Sequence, residues 1–153
     1  MGAEAVLESA VTLERNGMAM QFDLIPFGTR VTATGHGSAQ DVSGSATRTF
    51  LCTLEIMEQL EQESLDVSIW GSSDGNEWGT KPLLKIPQSF YRGHVRQVLD
   101  LTVRPEVKFI RAKWELARWG RVAPTPMFVI GLRIEEVSAF TRSAATANIP
   151  AST

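Results

Sequence analysis

The sequence predicts an all-β fold, a single antiparallel β-sandwich or jelly roll of about eight strands. Three observations predict it. Seven prolines and twelve glycines punctuate the 153 residues at short intervals, and the stretches between them are rich in Val, Ile, Thr, Phe and Trp, which suit a pleated, half-buried surface. Within those stretches apolar and polar residues alternate with period two, as a strand with one face in a core requires. No regular succession of strand and helix patterns appears, so a parallel α/β sheet is not expected.

The elements follow in order. From Ala5 to Arg15, Leu7, Val11 and Leu13 share the odd face, and Asn16-Gly17 is a turn signal. Met18 to Ile25 is a second strand, expected to stop at Pro26. Thr29 to Thr34 alternates again before giving way to Gly35-His36-Gly37-Ser38 and the polar stretch to Ser45, where a mobile loop is expected. Thr47 to Met57 places Phe50, Cys52, Leu54 and Ile56 on one face and Leu51, Thr53, Glu55 and Met57 on the other. Gln59 to Ser64 is the one place where a helical turn competes. Leu65, Val67 and Ile69 then alternate with Asp66, Ser68 and Trp70. Leu83 to Ile86 and Val95 to Val103 are weaker strands, closed by Pro87 and Pro105. Glu106 to Trp119 has helix-tolerant residues, but Ile110, Ala112, Trp114 and Leu116 alternate with Arg111, Lys113 and Glu115, which favours a strand with Trp114 in the core. Met127 to Val137 sets Phe128, Ile130, Leu132 and Ile134 opposite Val129, Gly131, Arg133 and Glu135. Residues 1–137 thus read as the sandwich domain. Residues 138–153, rich in Ala, Ser and Thr, read as a C-terminal arm whose only large apolar side chains, Phe140 and Ile149, are its expected anchors.

Composition narrows the function classes. Hydrophobic residues at 43% and charged residues at 21% fit a globular chain and exclude a collagenous or wholly disordered one. A net charge of -2 supplies no general attraction for nucleic acid or an anionic membrane, so neither is an expected partner. No apolar run reaches a membrane-spanning length, and Met-Gly-Ala-Glu-Ala-Val lacks the basic and apolar regions of a leader, so synthesis in the cytoplasm without secretion is expected. The single cysteine, Cys52, makes no internal disulfide and stands at an inward phase, as an inert core residue.

The most specific local pattern is Ser72-Ser73-Asp74-Gly75-Asn76-Glu77-Trp78, a strand running into a Ser-x-Asp-Gly-x-x-Trp turn. Asp74 has the side chain to accept from backbone N–H groups, Gly75 tolerates positive φ, and Trp78 folds back, so Ser72, Asp74, Gly75 and Trp78 are expected to be structural. Together with Phe109-Ile110-Arg111 and Leu132-Arg133-Ile134-Glu135, this order resembles the discoidin-like domains, the type C modules of coagulation factors. The resemblance covers residues 65–137 and implies a jelly roll that binds a surface ligand or carbohydrate. Two departures stand against transferring that function. Gly35 to Ser45 matches no binding-loop motif, and no disulfide ties the termini.

Catalytic patterns are scarce. His36 and His94 are the only histidines, neither in a metal-binding spacing, and no Gly-x-Ser-x-Gly elbow or phosphate loop occurs. Glu55, Glu58, Glu61, Glu63 and Asp66 lack calcium-loop spacing and read as a solvated acidic edge. No cofactor is expected. Arginines outnumber lysines by eleven to four, and Tyr91-Arg92 and Arg118-Trp119-Gly120-Arg121 pair them with aromatics, the composition of contact hot spots. The contact residues expected are therefore Tyr91, Arg92, Arg118, Trp119, Arg121, Phe140 and Ile149. A non-enzymatic module that packs with itself or onto a larger particle is the leading expectation. A carbohydrate-binding module follows, with Trp70, Trp78, Trp119 and Tyr91 as candidate stacking rings. A jelly-roll enzyme, which would need a cleft with two carboxylates or a metal centre, comes last.

Overall fold

The described residues form nine strands in two antiparallel sheets: β1 Gln21–Val31, β2 Gly35–His36, β3 Gln40–Asp41, β4 Thr49–Gln59, β5 Glu63–Ser72, β6 Leu84–Lys85, β7 Gly93–Asp100, β8 Phe109–Arg118 and β9 Phe128–Glu136. They come from a computed structural model that describes residues 19–59, 63–89, 91–118 and 127–138. The strand expected over Ala5 to Arg15 and the arm beyond residue 138 lie outside those residues. The described residues contain no helix.

The first sheet runs β1-β9-β4-β7 and the second β2-β8-β5-β6, with β3 also on β8 beside β2. β2 and β3 are two short pieces of one edge, pairing with Trp114–Lys113 and with Ile110–Phe109 respectively. Counted as one strand, they complete a jelly roll of eight. Early strands pair with late ones in reverse order, β1 with β9, β2/β3 with β8, β4 with β7 and β5 with β6. That ribbon closes on itself because β4 also pairs with β9, and β5 with β8.

The core lies between the sheets. Phe50, Cys52, Leu54 and Ile56 of β4 and Phe128, Ile130, Leu132 and Ile134 of β9 face Leu65, Val67 and Ile69 of β5 and Ile110 and Ala112 of β8, and none is more than 3% exposed. These are the phases that period-two alternation assigns. Burying each large apolar side chain contributes about 1.5–3 kcal/mol.

Three expectations change. Pro26 does not end a strand: β1 runs through it to Val31, with register shifts between Asp23 and Ile25 and between Ile25 and Thr29. β1 is an edge among the described residues, where a missing proline N–H costs little, and Gly28 takes a φ of 89° in the bulge. The glycine-rich stretch after Thr34 is not a free loop. Gly37 N–H donates to Ala112 at 2.9 Å, Val42 N–H donates to Lys108 at 2.8 Å, and Val42 is fully buried. The fit is close there, since a Cβ on Gly35 would sit 3.2 Å from the Trp114 indole nitrogen and the ring would have to shift by a few tenths of an ångström. Finally, Trp114 is half-buried rather than a central core residue. It packs against the core margin, and its Nε1 donates to the Ala33 carbonyl at 3.1 Å.

Candidate interaction site

A strand at a sheet edge offers unpaired N–H and C=O groups to any neighbour, and folded proteins usually shorten, bend or interrupt such edges. Three of the four edges among the described residues are interrupted. β2 and β3 are two residues each, β6 is two residues between Pro82 and Pro87, and β1 carries Pro26 and two register shifts. β7 is different. Its eight residues pair with β4 from Asp100 to Gly93 without a shift and contain no proline. No backbone hydrogen bond from a turn or loop among the described residues reaches it between Gly93 and Leu99.

One exposed large hydrophobic lies on this strand and two lie just beyond its ends. Among the described residues the exposed large hydrophobics are Tyr91 at 76%, Val103 at 74%, Val98 at 57% and Phe27 at 45%. Val98 lies on β7, Tyr91 and Val103 flank it, and Phe27 lies on β1, the opposite edge of the same sheet. Along β7 the exposed row is His94, Arg96, Val98 and Asp100, while Leu99 is buried. The Asp100 carboxylate accepts from the Thr102 N–H at 2.9 Å and closes the strand's end.

Of the contact residues expected from sequence, Tyr91 and Arg92 are exposed immediately before β7. Arg118 is the last residue of β8, its backbone opposite Glu63. Trp119, Arg121, Phe140 and Ile149 lie outside the described residues. The β7 edge itself was missed, because which strand ends a sheet depends on pairing order rather than on local sequence.

The Ser72–Trp78 turn is built by its own side chains. Ser72 Oγ accepts from Gly75 N–H at 2.8 Å, and one Asp74 oxygen accepts from the N–H groups of Asn76 at 2.8 Å and Glu77 at 2.9 Å. These bonds, with one from the Ser72 hydroxyl, hold the Asp74 carboxyl below the usual carboxylate range. Gly75 takes a φ of 85°. Trp78 is half-buried beneath the Arg111 guanidinium, 4.3 Å from its ring centroid. Trp70, directly opposite Arg111 across the sheet, has the Lys113 ammonium 5.3 Å from its own centroid. Cation and ring therefore alternate over the outer face of the second sheet, each pair contributing about 0.5–2 kcal/mol.

The titratable groups are dispersed. Burial pushes the Cys52 thiol up to about 12, which keeps it protonated and unreactive. His36 lies on β2 of one sheet and His94 on β7 of the other. The acidic run is not one solvated edge. Glu55 and Glu58 belong to β4, Asp66 to β5 in the opposite sheet, and Glu63 is only 1% exposed, accepting from Met127 N–H at 2.7 Å. No group of three His, Cys, Asp or Glu side chains converges to hold a metal ion among the described residues. Nor is any helix among them long and apolar enough to cross a membrane. No protein-family model matches the chain, and no curated protein matches it.

Proposed function

We propose that this chain is a non-enzymatic assembly module that joins a second copy of itself through β7. The observation that carries the proposal is the contrast among the four edges of the described residues: of these only β7 is both long and regular, and it bears Val98, with Tyr91 and Val103 just beyond its ends. Strand addition at such an edge supplies main-chain hydrogen bonds, and exposed side chains set the register.

A second copy suits the edge by charge. Antiparallel pairing about a two-fold axis at Val98 sets Val98 opposite itself and Arg96 opposite Asp100 on both sides of the axis. The contact is isologous, apolar at its centre and closed by two opposite-charge pairs. Leu51, which pairs with Val98 inside the sheet, widens the apolar centre. Tyr91 and Arg92, exposed just before the strand, are of the residue types enriched in contact hot spots. The protonated Cys52, the separated histidines and the net charge of -2 support a role without nucleophilic catalysis, cofactor, nucleic acid or membrane.

Sedimentation velocity on the full chain tests the reading. The expected result is a concentration-dependent dimer that Val98→Lys and Arg96→Glu each convert to monomer without lowering Tm. A monomer throughout the micromolar range, or a dimer indifferent to both substitutions, would overturn it.

A further inference from the structure

β1 is open along the first residues of its free edge. Glu136 N–H donates to the Met20 carbonyl at 2.7 Å, so Met20 turns its backbone toward β9, and strand alternation turns the N–H and C=O groups of Gln21 and Asp23 the other way. Among the described residues no strand other than β9 pairs with β1, and no turn or loop bond reaches Gln21 or Asp23. The side chains of this stretch are uncovered on the same flank. Met20 and Phe22 pack against the core, Phe22 as the cross-strand partner of fully buried Ile134, yet both are only partly buried. We propose that residues 10–14 of this chain cover the edge, pairing antiparallel with residues 19–23 as a hairpin.

Register selects this occupant. A turn centred on Asn16-Gly17 sets Leu13 opposite Met20 and Val11 opposite Phe22, apolar on apolar, while Thr12 opposite Gln21 and Ala10 opposite Asp23 take the outer side. A slip of one residue would turn Val11 and Leu13 to water. The same register makes Glu14 and Ala19 the last bonded pair and leaves Arg15-Asn16-Gly17-Met18 as a four-residue loop. Its bonded positions then include Gln21 and Asp23, whose outward groups have no strand to pair with among the described residues.

Chain length points to the same edge. The segment runs directly into Ala19, so β1 requires only a short loop, whereas β7, at the far side of the sheet, requires a longer and entropically costlier one. The pairing ends at Asp23. Beyond it the register shifts, and the Leu24 carbonyl approaches Gly37, where a Cβ would lie 3.1 Å away. With its first residues covered, β1 adds no second site for strand addition, and assembly through β7 closes at a pair. That consequence rests on the assembly proposed above, and the hairpin does not.

Cross-linking of the full chain tests the hairpin. Opposed Cα atoms at a bonded pair lie about 5.5 Å apart, within disulfide range. Thr12→Cys with Gln21→Cys is expected to form a disulfide within one chain under mild oxidation, read from the mass and mobility of the unreduced protein. Glu8→Cys with Gln21→Cys, displaced by about 13 Å along the strand, should stay reduced. Buried Cys52 does not compete. Val11→Asp and Leu13→Asp should each lower Tm by about 3 °C or more, whereas Thr12→Lys should leave it within about 1 °C. A disulfide between two chains, equal cross-linking of both pairs, no cross-link, or a Tm indifferent to both aspartates would overturn the proposal. Val98→Lys, on the opposite edge of the sheet, should leave the first cross-link unchanged, so the hairpin and the β7 contact fail separately.

Discussion

Glu136 accepts a 2.6 Å hydrogen bond from the hydroxyl of Ser45, 91 residues earlier in the chain. The same carboxylate accepts from the N–H groups of Thr47 at 2.8 Å and Met20 at 2.9 Å, so one side chain joins the start of β1, the loop before β4 and the end of β9. Burial by itself raises the pKa of this carboxyl, but the bonds from Ser45, Thr47 and Met20 outweigh burial and leave it below the ordinary value of 4.5.

Glu136→Gln should therefore be costly although it is nearly isosteric. An amide N–H₂ replaces one acceptor oxygen and faces donors, leaving buried groups unmatched. The expected loss is about 2–4 kcal/mol, read from the midpoint of urea unfolding. A loss below about 0.5 kcal/mol would mean that water replaces these bonds at no cost.

The same group predicts a pH dependence. A carboxyl whose pKa is lower in the folded than in the unfolded state contributes stability that is complete above its ordinary value of 4.5 and disappears as pH falls through the folded value. Thermal scans at descending pH should show the stability gap between wild type and Glu136→Gln narrowing in that acid range. A gap that stays constant would show that Glu136 is not charged in the folded protein.

Trp114 and Phe50 separate margin from centre. Phe50 is fully buried, and Phe50→Ala should cost about 3–5 kcal/mol. Trp114 is half-buried, so Trp114→Ala should cost about 1.5–3 kcal/mol despite the larger ring. Equal costs in chemical denaturation would place Trp114 in the core, where its alternation with Lys113 and Glu115 would put it.

Gly75→Val should cost about 1–3 kcal/mol through backbone strain alone. A Cβ there would meet nothing closer than 3.7 Å, so the penalty belongs to the φ of 85° and not to a clash. Gly75→Asn should cost clearly less, because asparagine tolerates this region better. Equal melting temperatures for the two variants would show that the turn relaxes to negative φ.

Strand phase was legible in the sequence because period-two alternation records which side of a strand leaves water. It placed Phe50, Cys52, Leu54 and Ile56, and Phe128, Ile130, Leu132 and Ile134, on the buried side, whereas the buried place of Glu136 came only from the structure. Local turn chemistry was legible for a similar reason, since the Ser72, Asp74 and Gly75 contacts close within a few residues. Only the tertiary structure decided what depends on neighbours distant in the chain. Pro26 is tolerated because β1 ends its sheet among the described residues, Gly35–His36 and Gln40–Asp41 are strand because β8 lies alongside to pair with them, and Asp66 meets Glu115 because β5 pairs with β8 in that register. Edge or centre, and partner or solvent, are properties of pairing order, and a residue's own neighbours in sequence do not encode them.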